Sequence, residues 1–542
     1  MATAPGESRT AGHASLRDNL AALARAGLLQ RVDRTICKDT ELMALVKWQF
    51  RGLAESARRG WHFTRITDAH GRNFDAEVAV ATIGASRAVY ACALDCAVPE
   101  IGARWTRARS QPIAPVLVAA RDAPVKELVV RGAGLKTFNL DSLPVPILLP
   151  GLDPAPFFTA AAWITKDPQT GIRNVGNYRG HVKAPDRVCF FSAPNNHGYL
   201  HWAKWKKKGA KYMDVAAAVG VPPAVNMCAV SKVPYGVDEY DVAGGLLGRP
   251  IELVKCETVD IEVPAHAEIV IEGRVSTEWV EPEGPFGEFT GFMGGRELAP
   301  PMEVTCITHR RRPIWHAFIS EYPPSESTMM RTIANEGQFF DLLKNQCNVG
   351  GLLDVYFHEP SGAQHFIVIR LKKSNNTEPM RAMLAAASVD PAYGKFIIAV
   401  DEDVDPRDLD AVMWAMTFRV QPHRDVQIVS QRSGFIDPSA APFDATLAEK
   451  AYPQPSGASS LLIDATCKFG YPPVSLPAKE YMLKAQAIWQ ELGLPELTPR
   501  EPWYGYEMGP WPPDWAEEAL RAARGEYRAL GELHAAQRKP AP

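Results

Sequence analysis

Long hydrophobic runs, paired cysteines and a surplus of either charge are all missing from this 542-residue chain. No apolar stretch reaches the roughly 20 residues that a membrane-spanning helix needs. The opening Met-Ala-Thr-Ala-Pro-Gly-Glu-Ser-Arg has no apolar signal core. Lys and Arg number 59 against 62 Asp and Glu, a formal net charge of −3, so no basic footprint for nucleic acid or an anionic membrane is present. The cysteines are few, odd in number and scattered: Cys37, Cys92, Cys96, Cys189, Cys228, Cys256, Cys306, Cys347 and Cys467. Only Cys92 and Cys96 lie close, with no second pair at zinc spacing, so the set reads as reduced, mostly buried thiols of a cytoplasmic protein. The fingerprints GxGxxG and GxxxxGK[ST] are absent, as is a nucleophile elbow, which leaves a dinucleotide fold, a P-loop and a serine hydrolase unsupported. His197 and His201 share a helix face, yet the adjacent glutamate of a zinc helix does not lie between them.

What remains is an ordinary globular composition, 46% hydrophobic and 22% charged. The length suggests about two to four domains. Ser15 and Asp18 mark a helix start, Leu16, Leu20 and Leu23 give it an apolar stripe, and Gly27 ends it. Residues 78–84 read as a strand, and the Pro-rich 141–146 stretch as a boundary region near 125–150. From 150 to 310 short β-rich runs at 160–165, 188–192 and 267–273, bounded by turn residues, fit a barrel-like β domain, with one helix around 197–209. Residues 330–350 have helical spacing, and 351–430 alternate strands such as 366–369 and 396–400 with helices, an α/β pattern. Two further helices are expected at 476–494 and 514–535, separated by an aromatic, Pro-rich segment that is too apolar for a free tether. The basic run Lys204–Lys211 reads first as a solvated helix end, and second as a contact for a phosphate-bearing ligand.

Three segments in the middle carry chemistry: Asn174-Val-Gly-Asn-Tyr-Arg179, Gly236-Val-Asp-Glu-Tyr240 and Glu283-Gly-Pro-Phe-Gly-Glu288. The third puts two carboxylates at the ends of a stretch that is neither regular helix nor central strand, because proline lacks the ladder N–H and glycine permits tight turns. Two acids on a stiff turn with an arginine upstream are raw material for proton transfer.

In order and spacing these segments, with His197, resemble the UbiD family of prenylated-FMN-dependent decarboxylases. The likeness extends through Gly220–Ala224, Ile251–Cys256, Trp414–Asp425 and Ile463–Thr466, so it covers about residues 15–490. It implies a mixed α/β fold: an N-terminal α/β domain (1–125), a central split β-barrel of flavin-reductase type holding the cofactor (126–325), a C-terminal α/β domain (326–495) and a tail (496–542) for homo-oligomer contacts, as dimer or hexamer. It implies that Asn174, His197 and Glu239 hold a divalent ion, Mn²⁺ or Mg²⁺ (or Fe²⁺), which clamps the cofactor phosphate, with K⁺ near Val230, Ser231 and Glu239. Arg419 is expected to approach the same region. Arg179, Glu283 and Glu288 match the catalytic acid–arginine network, with Glu288 as proton donor and the cofactor, made by a flavin prenyltransferase, as electron sink.

The implied substrate is an aromatic or α,β-unsaturated acid, and an aryl-CoA thioester such as phthaloyl-CoA is a further candidate. Ile319, Tyr322, Pro323, Met329 and Met330 are candidate pocket residues. Two alternatives stay open: an FMN-binding oxidoreductase on the same barrel, and a subunit of a multi-subunit aryl carboxylase.

Overall fold

The computed structural model describes residues 12–434 apart from 195 and 232, then 436–442, 445 and 457–540. Helix Leu16–Arg25 begins where the sequence places it: the Ser15 side chain accepts from the Asp18 amide, and Gly27 turns away at φ +68°. Arg17 on this helix donates twice, at 2.8 Å, to the fully buried carboxylate of Glu268, and so ties the N-terminus to the barrel.

The N-terminal sheet has the order Leu29–Val32, Gly60–Phe63, Glu77–Val80, Ile314–Ala317. Its last strand arrives from beyond the barrel and pairs parallel with Glu77–Val80. The strand expected over 78–84 stops at Val80, for a reason that lies 245 residues beyond Ala81. The buried carboxylate of Glu326 accepts the amides of Ala81, Ile83, Gly84 and Ile319 at 2.9–3.4 Å, which bends the chain off the sheet at Ala81, φ +59°. Gly84 is required there, since a Cβ would sit 2.5 Å from the Glu326 carbonyl oxygen.

The central element is an antiparallel sheet of nine strands. Eight run in the order Arg173–Asn177, Ala162–Lys166, Tyr212–Val219, Ile269–Ser276, Pro301–His309, Arg187–Phe191, Arg179–Ala184, Phe157–Phe158; Leu128–Arg131 pairs beside Pro301–His309. This is the barrel-like domain read from the short strands. Its interior is made by alternation: Val215, Ala217 and Val219 face one core with Ile269, Ile271 and Trp163, whereas Ala216 and Ala218 face another with Ile164 and Val270. The expected helix is His197–Lys207. Its lysine-rich end is in solvent or engaged locally: Lys204 donates to Asp167 at 2.6 Å, and Lys206 and Lys208 lie over Trp202 and Trp205. Cations at a helix C-terminus also complement its dipole.

Helix Glu326–Asp341 leads into the C-terminal sheet, ordered Leu352–Phe357, Phe366–Leu371, Phe396–Asp401, Ala458–Ala465, Val426–Arg432. Its central strands are apolar on both faces because both are covered. Ile367, Ile369 and Ile397 pack with Met383 and Ala386 of helix Glu378–Ser388, while Val368, Ile398 and Val400 pack with Val412 and Ala415 of helix Leu409–Arg419.

Near the C-terminus, Lys479–Glu491 is one helix, but the helix expected over 514–535 is two, Pro513–Ala523 and Tyr527–Ala536, broken at Gly525 (φ +84°). The aromatic segment between lies on its own chain: the Gly505 amide donates to the Pro477 carbonyl and the Tyr506 hydroxyl to Asp403 at 2.6 Å. Among the described residues no helix is long and apolar enough to cross a membrane.

Candidate active site

Arg179 opens the strand Arg179–Ala184, directly after Tyr178. Its guanidinium grips both acids of the Gly-Pro-Phe-Gly segment. Nε and one terminal nitrogen donate to the two oxygens of Glu283 at 2.9 and 2.7 Å, and the other terminal nitrogen donates to Glu288 at 2.6 Å. This fork needs arginine's planar donors, because lysine has no second parallel N–H to offer. The guanidinium lies 3.9 Å from the ring centre of Phe191 and 4.9 Å from that of Phe286, which holds its plane.

The segment itself is built from two short ladders, Glu281–Glu283 with Glu297–Ala299 and Phe286–Gly287 with Met293–Gly294. Gly284 joins them at φ +83°, and its amide donates to Nδ1 of His181. Burial, with Lys183 and Arg179 nearby, pushes His181 down to about 4, so this ring is a neutral acceptor at pH 7. The two acids differ in surroundings. Glu283 has no exposure, whereas the Glu288 side chain keeps 23% and faces a cleft. Burial raises Glu288 above the usual carboxylate range, against the pull of Arg179 and Arg331. The cleft has about 720 Å³ of empty space, and its walls include Arg179, Phe191, Glu288, Phe292, Met293 and Ile436.

The expected ion-binding group sits on the other side of Tyr178. Glu239 is the first residue of helix Glu239–Leu247, which Asp238 caps by accepting the Tyr240 amide; Arg173 fixes Asp238 at 2.7 Å. One Glu239 oxygen accepts the Val175 amide at 2.8 Å, and the other is 3.9 Å from Nδ1 of His197. Asn174 is adjacent, its amide nitrogen 3.2 Å from the Tyr178 hydroxyl. Glu239 is 4% exposed, and burial pushes its carboxyl up to about 8. A desolvated carboxylate beside an imidazole and an amide oxygen is the donor set a hard dication would offset, so these residues fit the implied ion.

Tyr178 joins the two halves. Its hydroxyl also accepts the Gly198 amide, and its carbonyl accepts Nε1–H of Trp163 at 2.8 Å. Its ring fills the space that side chains would need at Gly176 and Gly198; a Cβ at either would overlap it. The spacing Asn-x-Gly-x-Tyr-Arg therefore has a packing reason.

Two expectations need correction. Arg419 does not join this region: it is buried in the C-terminal domain, paired with Asp401 at 3.2 Å and with Asp403, over Trp414. Ile319, Met329 and Met330 are packed core, and Tyr322 is 52% exposed with Arg51 over its ring. None of these, nor Pro323, lines the cleft at Glu288. Sequence reasoning passed over Tyr178 although it lies inside a quoted motif; His181, Phe191 and Arg331 carry no local signal at all.

The chain is similar to known proteins over most of its length. Residues 116–323 match the 3-octaprenyl-4-hydroxybenzoate carboxy-lyase Rift-related domain (UbiD), and residues 328–465 match the C-terminal domain of the same carboxy-lyase. An uncharacterized protein of Archaeoglobus fulgidus is 34% identical over 378 residues, 68% of this chain and 74% of that one. An evolved dimeric form of the UbiD-class enzyme HmfF from Pelotomaculum thermopropionicum, solved with prFMN, is 32% identical with a TM-score of 0.71, covering 84% of this chain and 95% of its own. The closed form of vanillic acid decarboxylase from Sedimentibacter hydroxybenzoicus is 25% identical with a TM-score of 0.72, covering 94% and 99%. Two family domains in sequence order, a relative and a solved enzyme above 30% identity, and one arginine holding both acids lead to one conclusion: the chain belongs to the UbiD family of carboxy-lyases.

Proposed function

We propose that this enzyme removes, and at high bicarbonate adds, CO₂ on an aromatic or α,β-unsaturated carboxylic acid, using prenylated FMN, with Glu288 as the proton donor. The observation that carries it is the single guanidinium of Arg179 bonded to both Glu283 and Glu288 on the wall of a cleft lined by Phe191 and Phe292. Aromatic walls suit a flat conjugated acid. Prenylated FMN, when bound, supplies the electron sink. Asn174, His197 and Glu239 would hold its phosphate through Mn²⁺ (or Mg²⁺, Fe²⁺), with K⁺ beside Glu239, Val230 and Ser231.

The chain's own residues do the rest. Arg179 grips Glu283 through two hydrogen bonds and fixes the direction of Glu288. Partial burial keeps a proton on Glu288 into a higher pH range, where it can be delivered to the carbon that loses CO₂. Among the described residues that line the cleft Arg179 is the one cation, beside Glu288, Glu297 and Asp437. That favours a simple aromatic acid over a CoA thioester, whose phosphates would want several cations. The intact arginine–acid set favours decarboxylation over hydride transfer by ordinary FMN.

The test is expression with a flavin prenyltransferase, identification of the released flavin by mass spectrometry, and a screen of aromatic acids and aryl-CoA thioesters for CO₂ release. Plain FMN with nicotinamide-dependent reduction would overturn the proposal. Glu288→Gln should lower kcat by at least about 100-fold with flavin content unchanged. Because the protonated form is the donor, wild-type kcat should fall as pH rises through the Glu288 titration.

A further inference from the structure

Behind the Gly-Pro-Phe-Gly segment lies a charged group that the reaction as proposed does not use. Glu321 is 3% exposed, and among the described residues neither of its carboxylate oxygens has a hydrogen-bond partner. Its backbone stands at φ +36°, a left-handed conformation that side chains other than glycine adopt at a cost. A buried, unsatisfied acid on a strained backbone is destabilising twice over, and such positions cluster at functional sites.

Its placement is specific. The side chain lies against Gly287, the residue before Glu288: a Cβ on Gly287 would be 2.7 Å from Cγ of Glu321. On the far side is Lys47 of helix Leu42–Gly52, with Nζ 3.9 Å from a Glu321 oxygen. Lys47 is itself held by the Tyr322 carbonyl at 2.6 Å.

Among the described residues the charged neighbours are these: Arg179, Arg331 and Glu283 act on Glu288; Lys47, Asp153 and Glu288 act on Glu321; Glu321, Arg51 and Glu359 act on Lys47. Asp153 has one oxygen bonded to the Leu149 amide, and the other is buried without a partner among the described residues. Burial pushes Glu321 up to about 7 and Asp153 up to about 6. Of these two raised acids, Glu321 lies within the field of Glu288, and Asp153 within that of Glu321.

We propose that Glu321, held by Lys47 against the back of Gly287, is a positioning residue whose charge sets how firmly Glu288 keeps its proton. As Glu321 ionises, its negative charge opposes ionisation of Glu288 and extends the pH range over which the donor is loaded. This deepens the proton-donor assignment and rests on it only for its catalytic meaning.

The test reads the acid directly. The protonated-carboxyl infrared band of Glu288, assigned by its loss in Glu288→Gln, is followed against pH in the wild type, Glu321→Gln and Glu321→Asp. Neutral Gln keeps the shape and removes the charge, so the Glu288 midpoint should fall by about one pH unit. Asp retains the charge and should restore most of it. The alkaline limb of kcat should move by the same amount. An unchanged midpoint in Glu321→Gln, or an equal fall in Glu321→Asp, would overturn the proposal. If Glu321→Gln fails to fold, Lys47→Met, which favours the neutral form of Glu321, should lower the midpoint too, and no fall there is the overturning result. Failure of the donor assignment shows separately, as turnover surviving in Glu288→Gln.

Discussion

Removing the guanidinium of Arg179 should cost stability as well as activity, and the size of the loss follows from what it leaves behind. Glu283 has no solvent exposure and takes two of its bonds, at 2.9 and 2.7 Å, from Arg179. Arg179→Ala strands that carboxylate. Breaking one side of a buried pair costs about 3–5 kcal/mol, and the lost stacking on Phe191 and Phe286 adds about 1 kcal/mol. Against a typical total of about 5–15 kcal/mol this is a large fraction.

The cause is charge, not volume, so a second substitution should repair it. Arg179→Ala with Glu283→Gln removes the stranded charge and should be about 2 kcal/mol more stable than Arg179→Ala alone. Urea unfolding monitored by tryptophan fluorescence measures this, since Trp163 is buried beside the strand and bonded to the Tyr178 carbonyl. A single variant costing under about 1 kcal/mol, or a double variant no better than the single, would refute the charge argument.

Glu239→Ala and His197→Ala should each lose bound metal and flavin together, read by metal analysis and absorbance of the purified protein; full flavin in either would sink the clamp. Gly176→Ala drives a methyl into the Tyr178 ring and should destabilise by about 1–3 kcal/mol in urea unfolding, with flavin lost as well. Glu326→Ala strips the acceptor from four buried amides and should cost at least about 3 kcal/mol, or abolish soluble expression.

Local rules were legible wherever local physics decides. The Ser15 cap, the short barrel strands and the stiffness of Gly-Pro-Phe-Gly all follow from neighbours in sequence. The readings failed where a distant group intervenes. The strand at Val80 ends because Glu326 captures the next amides. A helix period runs through 514–535, but Gly525 takes a left-handed turn and divides it. Arg419 sits in a stretch that resembles the family, yet the nearby Asp401 and Asp403 hold it. Met329 and Met330 have the chemistry of a pocket lining but share a helix face with core residues. Of the site, the motif residues were visible, whereas the supports of Arg179 and Glu321 come from elements far apart in sequence.

The strand Ile314–Ala317 has a consequence for synthesis. It is the edge partner of Glu77–Val80, and its His316 is fully buried between Thr82 and Asn226. A ribosome emits the first three strands of that sheet long before this fourth one. During that interval Glu77–Val80 exposes an unpaired edge, which is an aggregation hazard. The first sheet of the chain thus closes only after the strands of the central sheet have been made, and a fragment ending near residue 125 would carry the same open edge permanently.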